Sequence, residues 1–501
     1  MVRVRIPGGV LPSDQARGLA RSTVRFGDDW LHLTTRQSIE LHGVADRGLR
    51  ELLAELNQVG LSTRSACGHT LRNVMCSEDA GVSLEEPFDC FGDAKAVSDA
   101  IVARSEHLNC ILPSRINMAF GGSPRCREDA LLNDVAFVSV LQDGVAGYEV
   151  WAGGSLGKSP SLAVKLADFV DRNDVMAASE ALVDVFVAHG DLDKPTNGRL
   201  KFVVQALGED GFVQAWWEAF GEARLRPHPE VGPIEVLDDS ERAAVLRHLP
   251  AGGWSAGVRP QREAGLASVT IEIPLGDMNR SELLLLADLS DAYGDGSLVL
   301  SRDQDIVLRN VRVSDVNEIR QRVSVRGLSL LGEGSSANVR ACAGASVCAV
   351  GITEAPDVGR LLLASSGLRR NSSLRVHISG CPNSCAQHQA GDIGLAGTKV
   401  RIGGATRLGY HLFLGADLER HLVGELVGRM AADDVPAVVD AVVGLWEALR
   451  RPGETLSATV RRAGIEAFAS NLEAVMDERW ASGPEPPEDQ PVDAPACRSA
   501  A

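Results

Sequence analysis

Leu33-Thr-Thr-Arg-Gln-Ser-Ile-Glu-Leu-His-Gly-Val44 and Leu300-Ser-Arg-Asp-Gln-Asp-Ile-Val-Leu-Arg-Asn-Val311 share Leu, Gln, Ile, Leu and Val at one constant offset. Each stretch reads as a strand in which apolar residues alternate with polar ones. The agreement extends outward. Upstream, Ile6-Pro-Gly-Gly9 and Ile273-Pro-Leu-Gly276 lead into helix-like runs at 15–24 and 281–292, and downstream 47–60 and 314–327 form a second such pair. A further ungapped match pairs Gly122-Ser-Pro124 with Gly380-Cys-Pro382, and Asp134-Val-Ala-Phe137 with Asp392-Ile-Gly-Leu395. The chain therefore reads as two copies of a small α+β unit, each followed by a larger α/β lobe. Repeats of this size predict a pseudo-twofold arrangement with a site between the copies.

The two copies divide the chain into a first small unit at 1–62, a first lobe at 63–225, a linker at 226–262, a second small unit at 263–332, a second lobe at 333–478 and a tail at 479–501. Residues 164–187 and 431–450 read as amphipathic helical scaffold. From Ser482 onward the Pro- and Glu-rich sequence cannot bury a core, and Cys497 within it has no expected role.

With 45% hydrophobic and 23% charged residues the 501-residue chain is globular. No apolar run reaches the length of a membrane span, and Met1-Val2-Arg3-Val4-Arg5 has no apolar segment behind its basic residues, so a cytoplasmic protein with no membrane contact is expected. The net charge of -17 repels phosphate at long range, which argues against a nucleic-acid partner and gives any local cluster of basic residues a job of its own.

Ten cysteines are too few for a disulfide scaffold in a chain this long, but four of them cluster. Cys342 and Cys348 form a C-x5-C pair, Cys381 and Cys385 a C-x3-C pair. Four thiolates complete the ligation of a cubane iron-sulfur cluster. Structural zinc uses tighter pairs and fits this spacing poorly, although zinc and plain structural thiols stand as the alternatives. Ser379-Gly-Cys-Pro-Asn-Ser-Cys385 is turn-forming, so its backbone N–H groups can point at sulfur. In the first copy Ser123 takes the place of Cys381 and Arg127 that of Cys385. One lobe thus supplies thiolates, and the other can supply cations for an anionic ligand.

Val376-His-Ile-Ser-Gly-Cys-Pro-Asn-Ser-Cys-Ala-Gln-His-Gln-Ala-Gly-Asp-Ile-Gly-Leu395, with the C-x5-C pair before it, closely resembles the sirohaem-dependent nitrite and sulfite reductase family. The resemblance continues through Arg3-Val-Arg-Ile-Pro-Gly-Gly9, Leu33-Thr-Thr-Arg-Gln37, Arg72-Asn-Val74, Gly153-Gly-Ser-Leu-Gly157, Asn197-Gly-Arg-Leu-Lys-Phe202 and Val460-Arg-Arg-Ala-Gly464. It implies an α+β fold, a pseudo-twofold duplication of a ferredoxin-like half domain plus a larger sirohaem-binding α/β lobe. It also implies a 4Fe-4S cluster on Cys342, Cys348, Cys381 and Cys385, with Cys385 as the link to the sirohaem iron. By the same resemblance Thr34, Thr35, Arg36, Gln37, Arg199, Lys201 and Asn383 help to bind the sirohaem and its eight carboxylates. Arg3, Arg72, Arg115 and Asn117 would hold a small oxyanion and support proton delivery during a six-electron reduction.

The chain departs from the family at Leu112-Pro-Ser-Arg-Ile-Asn117, where a lysine is replaced by Arg115. Arginine does not readily release a proton, so protons must come from water or another group. Asn117 resembles nitrite-reducing members, whereas sulfite-reducing members carry a second lysine there. The expected reaction is therefore nitrite to ammonia; sulfite to sulfide, a less usual N–O or S–O substrate, a cofactor-bearing protein without turnover and a precorrin-3B synthase-like monooxygenase are the alternatives. His69 reads first as a structural histidine and second as a proton source. No flavin, nicotinamide or P-loop fingerprint is present, so a ferredoxin or a flavoprotein must bring the electrons.

Overall fold

The computed structural model describes residues 1–123, 129–193, 197–236, 257–333, 338–402 and 404–481. Arg127 and the tail from Ser482 lie outside the described residues.

The two repeated stretches are hairpins, which corrects the expectation of single strands. Leu31–Leu33 and Ile39–Leu41 pair antiparallel, as do Ser297–Leu300 and Ile306–Arg312. A hydroxyl breaks each stretch. Thr34 Oγ1 accepts from the backbone N–H groups of Arg36 and Ser38 at 3.3 and 3.1 Å, and Ser301 Oγ accepts from Asp303 and Asp305 at 3.1 and 3.0 Å. These side chains offer the backbone a turn in place of a ladder, and the glutamines at the tips, Gln37 and Gln304, close it at φ of 50° and 70°.

The small units exchange strands. Behind each Ile-Pro-x-Gly turn the chain crosses to the other copy: Val10–Pro12 pairs with Ser297–Leu300, and Asp277–Met278 pairs with Leu31–Leu33. The register is equivalent on both sides, Val10 opposite Val299 and Asp277 opposite His32. The sheets run Val2–Val4, Ile39–Leu41, Leu31–Leu33, Asp277–Met278 and Val258–Pro260, Leu266–Glu272, Ile306–Arg312, Ser297–Leu300, Val10–Pro12. Helices Ser13–Phe26 and Arg280–Tyr293 pack on each other, with Arg17 reaching Asp288 and Asp291 at 2.7 and 2.6 Å. One continuous apolar core, from Val4 and Leu19 to Leu286 and Leu308, serves both copies. Strand Val258–Pro260 belongs to this second sheet, so the expected linker at 226–262 ends inside the second unit.

The two lobes repeat one topology. Met75–Cys76, Met118–Gly121 and Val135–Gln142 are parallel neighbours, followed antiparallel by Val145–Ala152 and Val164–Asp171. In the second lobe Val339–Ala341, Val376–Ser379 and Ile393–Ile402 are parallel, then Ala405–Leu414 and Glu425–Ala431 antiparallel. Residues 164–187 are thus a strand and then the helix Val175–His189, not one amphipathic helix. That helix has five consecutive buried residues from Val175 to Ser179, more than a single apolar stripe can place inside, because it lies within the lobe's core. In the second lobe the last helix, Ile465–Ala481, runs past the expected boundary at 478. The lobes meet where Leu131 and Leu132 join Ala390 and Leu418. No described helix is long and apolar enough to cross a membrane.

Candidate active site

Parallel strands place the cysteines. Ala341 and Ile378 are register neighbours, so the chain leaves both strands at the same edge, the carboxyl end of a parallel sheet where ligands of α/β folds gather. Cys342 follows one strand directly and Cys381 follows the other after Ser379-Gly380. Gly380 N–H donates to Cys342 Sγ at 3.1 Å. Gly380 O accepts from Ile352 and Thr353, 2.8 and 3.0 Å away, which draws in the loop that carries Cys348. Gly397 backs this junction: a Cβ there would lie 2.2 and 2.3 Å from Thr353 Oγ1 and Gly380 O.

Burial, and then the field of Cys385, pushes the Cys342 thiol up to about 12. Burial also raises Cys385, and next the field of Cys381, with Arg115 and Arg3 pulling the other way. The four thiols are therefore near neighbours, and Cys342 and Cys385 favour the protonated form until a cation is bound. Among the described residues no three His, Cys, Asp or Glu side chains are gathered tightly enough to hold a single metal ion. Cys385 lies deep in the molecule yet keeps accessible surface, as a thiol facing an internal cleft does.

Cations ring that cleft. Burial lowers Arg36 to about 9 and Arg72 to about 10, and it lowers Arg115 as well; after burial, Asp134 pulls Arg36 back up while Arg199, Arg115 and Arg72 push it down, and Arg3, Arg72, Arg115 and Arg199 act on one another. Arg115, and Arg3 beside it, act directly on Cys385. Such crowding is stable when anions occupy the space between. Asp134, fully buried, holds Arg199 in a forked pair at 3.0 and 2.8 Å and accepts from the backbone N–H of Asn117 at 2.8 Å. The Asn117 side-chain oxygen is buried with no hydrogen-bond partner among the described residues. Arg36 reaches Asn133 Oδ1 at 3.3 Å, and Arg72 donates to the carbonyls of Ala66 and Gly68 at 2.7 and 3.2 Å. Thr35 Oγ1 donates to Cys385 O at 2.8 Å, so the hairpin tip of the first unit touches the cysteine loop of the second lobe.

Three expected cofactor contacts have other work. Thr34 Oγ1 builds the hairpin tip. Gln37, fully buried, donates to Cys76 O and Leu300 O at 2.7 and 2.8 Å and accepts from Cys76 N–H at 2.9 Å. Lys201 is buried and donates to Lys158 O and Ser159 O at 2.8 and 2.7 Å. It thereby shapes the Gly153–Gly157 loop, whose Gly157 lies against Asn383: a Cβ there would come within 3.2 Å of Asn383 O. Gln389 fixes the same contact by exchanging hydrogen bonds of 2.8 and 3.1 Å with Gly157. Lys201→Met is expected to cost ~2 kcal/mol by leaving these carbonyls unpaired. Chemical denaturation measures it; unchanged stability with loss of tetrapyrrole would restore Lys201 to the cofactor. His69 is exposed, in the stretch whose carbonyls hold Arg72.

Sequence reasoning passed over Glu40, Asn133, Asp134 and Gln389. Asp134 had a signal: it aligns with Asp392, which accepts from Arg375 N–H at 2.8 Å as Asp134 does from Asn117.

Residues 67–223 and 333–480 match the nitrite and sulphite reductase 4Fe-4S domain, and residues 1–59 and 259–324 the nitrite/sulfite reductase ferredoxin-like half domain. The chain belongs to the nitrite and sulfite reductase family. A ferredoxin-nitrite reductase of Synechococcus elongatus is 31% identical over 452 residues, 88% of this chain and 84% of the relative. A sulfite reductase [NADPH] hemoprotein beta-component of Acidithiobacillus ferrooxidans is 28% identical over 507 residues, 93% and 85% of the two chains. The solved structure of the Mycobacterium tuberculosis NirA protein superposes with a TM-score of 0.79 at 25% identity, covering 93% of this chain and 84% of that one.

This nitrite/sulfite reductase is an oxidoreductase that uses sirohaem and a 4Fe-4S cluster. Its residues fit both groups: four neighbouring thiols at one sheet edge, and a guanidinium-lined cleft that begins at the fourth of them.

Proposed function

We propose that the enzyme reduces nitrite to ammonium with electrons from a ferredoxin, six electrons and eight protons giving ammonium and two waters. The observation that carries the choice of anion is the restrained charge of the cleft. Of its five guanidiniums, Arg3 and Arg199 are each paired with a buried carboxylate, and Asn117 stands where a further cation would favour a dianion. A singly charged oxyanion matches that balance.

Cys342, Cys348, Cys381 and Cys385 would hold the cluster, which together with the sirohaem would supply electrons one at a time. The chain does the rest. Arg36 and Arg199 meet sirohaem carboxylates, Asn383 lines the same side, and Thr35 fixes the loop that presents Cys385. Arg3, Arg72 and Arg115 orient the oxyanion and stabilise charge as oxygen departs. Arg115 keeps its proton, so water in the cleft carries protons to the leaving oxygen. The ferredoxin donor accords with the curated relatives named for it.

The test is turnover of purified holoenzyme with a reduced dye and either anion. Ammonium from nitrite at a higher kcat/KM than sulfide from sulfite is expected; the reverse order would reassign the substrate to sulfite. Reduced ferredoxin should then replace the dye, and failure with ferredoxin but success with a reduced flavoprotein would reassign the donor.

A further inference from the structure

The first small unit carries a row of ionisable residues across its whole sheet, one on each strand. Arg3 lies opposite Glu40, Glu40 opposite His32, and His32 opposite Asp277. Residues in direct register across antiparallel strands share a face with Cβ atoms ~5 Å apart. The row is bonded as well as aligned. Arg3 Nε donates to Glu40 Oε1 at 2.9 Å, His42 Nε2 lies 3.4 Å from Glu40 Oε2, and His32 Nδ1 meets Asp277 Oδ1 at 2.7 Å. Gln304 from the other copy approaches His32 Nε2 at 3.2 Å, and Trp30 stacks on His42 with ring centroids 4.1 Å apart. Arg3 and His42 thus flank the Glu40 carboxylate, and His32 is held by Asp277.

Burial would push the Glu40 carboxyl up, but the hydrogen bond from His42 and the charges of Arg3 and His32 hold it down at about 2. It is a permanent anion behind a cation that enters the cleft. Among the described residues, Arg36, Arg72 and Arg115 of that cleft form no ion pair with a carboxylate, although the field of Asp134 reaches Arg36 and Arg115, while Arg199 is paired with Asp134 directly.

We propose that Glu40 is a specificity-determining positioning residue: it aims Arg3 into the cleft and cancels its charge, so that the site favours a singly over a doubly charged oxyanion. The inference rests on the nitrite/sulfite reading of the cleft. A fixed anion near the site costs a dianion twice what it costs a monoanion, and at partly buried distances that difference is on the order of tenfold in affinity. Glu40 touches Arg3 and not the substrate.

Glu40→Gln keeps the shape and removes the charge. In holoenzyme at mildly alkaline pH, where sulfite is a dianion and nitrite a monoanion, E40Q is expected to lower the nitrite-to-sulfite ratio of kcat/KM by about tenfold, chiefly through a smaller KM for sulfite. Titration of the sirohaem absorption with each anion, without turnover, should show the same change in relative affinity. Arg3→Gln should shift the ratio the opposite way, and the double variant should return towards the parent. An unchanged ratio and unchanged relative affinities in E40Q would overturn the proposal. If E40Q does not take up its cofactors, Glu40→Asp decides: it keeps the charge and should keep the ratio while raising both KM values, and a shifted ratio there would overturn it. A parent enzyme that turns over neither anion would defeat the substrate reading alone, since the binding titrations still judge Glu40.

Discussion

Cys385→Ala is expected to reduce turnover at least a thousandfold and to leave a protein whose residual iron no longer responds to the oxidation state of sirohaem. Cys385 stands where the thiol group meets the guanidinium cleft: its sulfur feels Cys381 and Cys348 on one side and Arg115 and Arg3 on the other. Its backbone oxygen is pinned by Thr35 from the opposite end of the molecule, so the sulfur is set by both copies. The other three cysteines lie behind it, Cys342 under the Gly380 N–H and Cys381 buried. Iron and sulfide analysis with low-temperature magnetic resonance of the reduced protein checks the outcome. Retained spectroscopic coupling in the alanine variant would remove Cys385 from between the two groups.

Gln37→Ala is expected to lower stability by ~3 kcal/mol, because three buried backbone groups lose their partners together. Both hydrogens of the Gln37 amide go to carbonyls, one in its own lobe and one in the other copy, and its oxygen takes the Cys76 N–H. Gln304 mirrors it, donating to Leu33 O at 2.7 Å and Ala341 O at 3.0 Å. Each glutamine thus ties its hairpin tip to the partner strand of the other. Thermal or denaturant unfolding measures the loss in the cofactor-loaded protein, with sirohaem per chain as the control. A variant of unchanged stability that binds less sirohaem would show the amide to be a cofactor contact after all.

The duplication was legible because two long ungapped matches kept their order, and the cysteine spacing pointed to a cluster before any coordinates. The hairpins were not, since Leu33 to Val44 alternates as a strand does and only the hydroxyl of Thr34, folded back on its own backbone, interrupts it. The exchanged strands were invisible for a different reason: three residues such as Val10–Pro12 carry no period, and their partner lies far along the chain. At the site, the arginines expected at a sirohaem and an oxyanion act on one another, and Arg3 and Arg115 act on Cys385. Lys201 and Gln37 meet buried carbonyls, and a polar residue inside a family motif looks the same in sequence whether it faces a ligand or satisfies such carbonyls. Glu40 gave no signal at all, since its meaning comes from strand register with Arg3.

The two hairpin tips have since taken separate careers. In the first copy the tip presents Thr35 and Arg36 to the cleft. In the second, Arg302 is committed to Asp129 and Asp303 to Arg340, so the equivalent tip is locked into the protein itself. Because each copy also completes the other's sheet, neither could be lost once the first had taken on the chemistry. The second tip shapes the fold in which the first one meets the cleft.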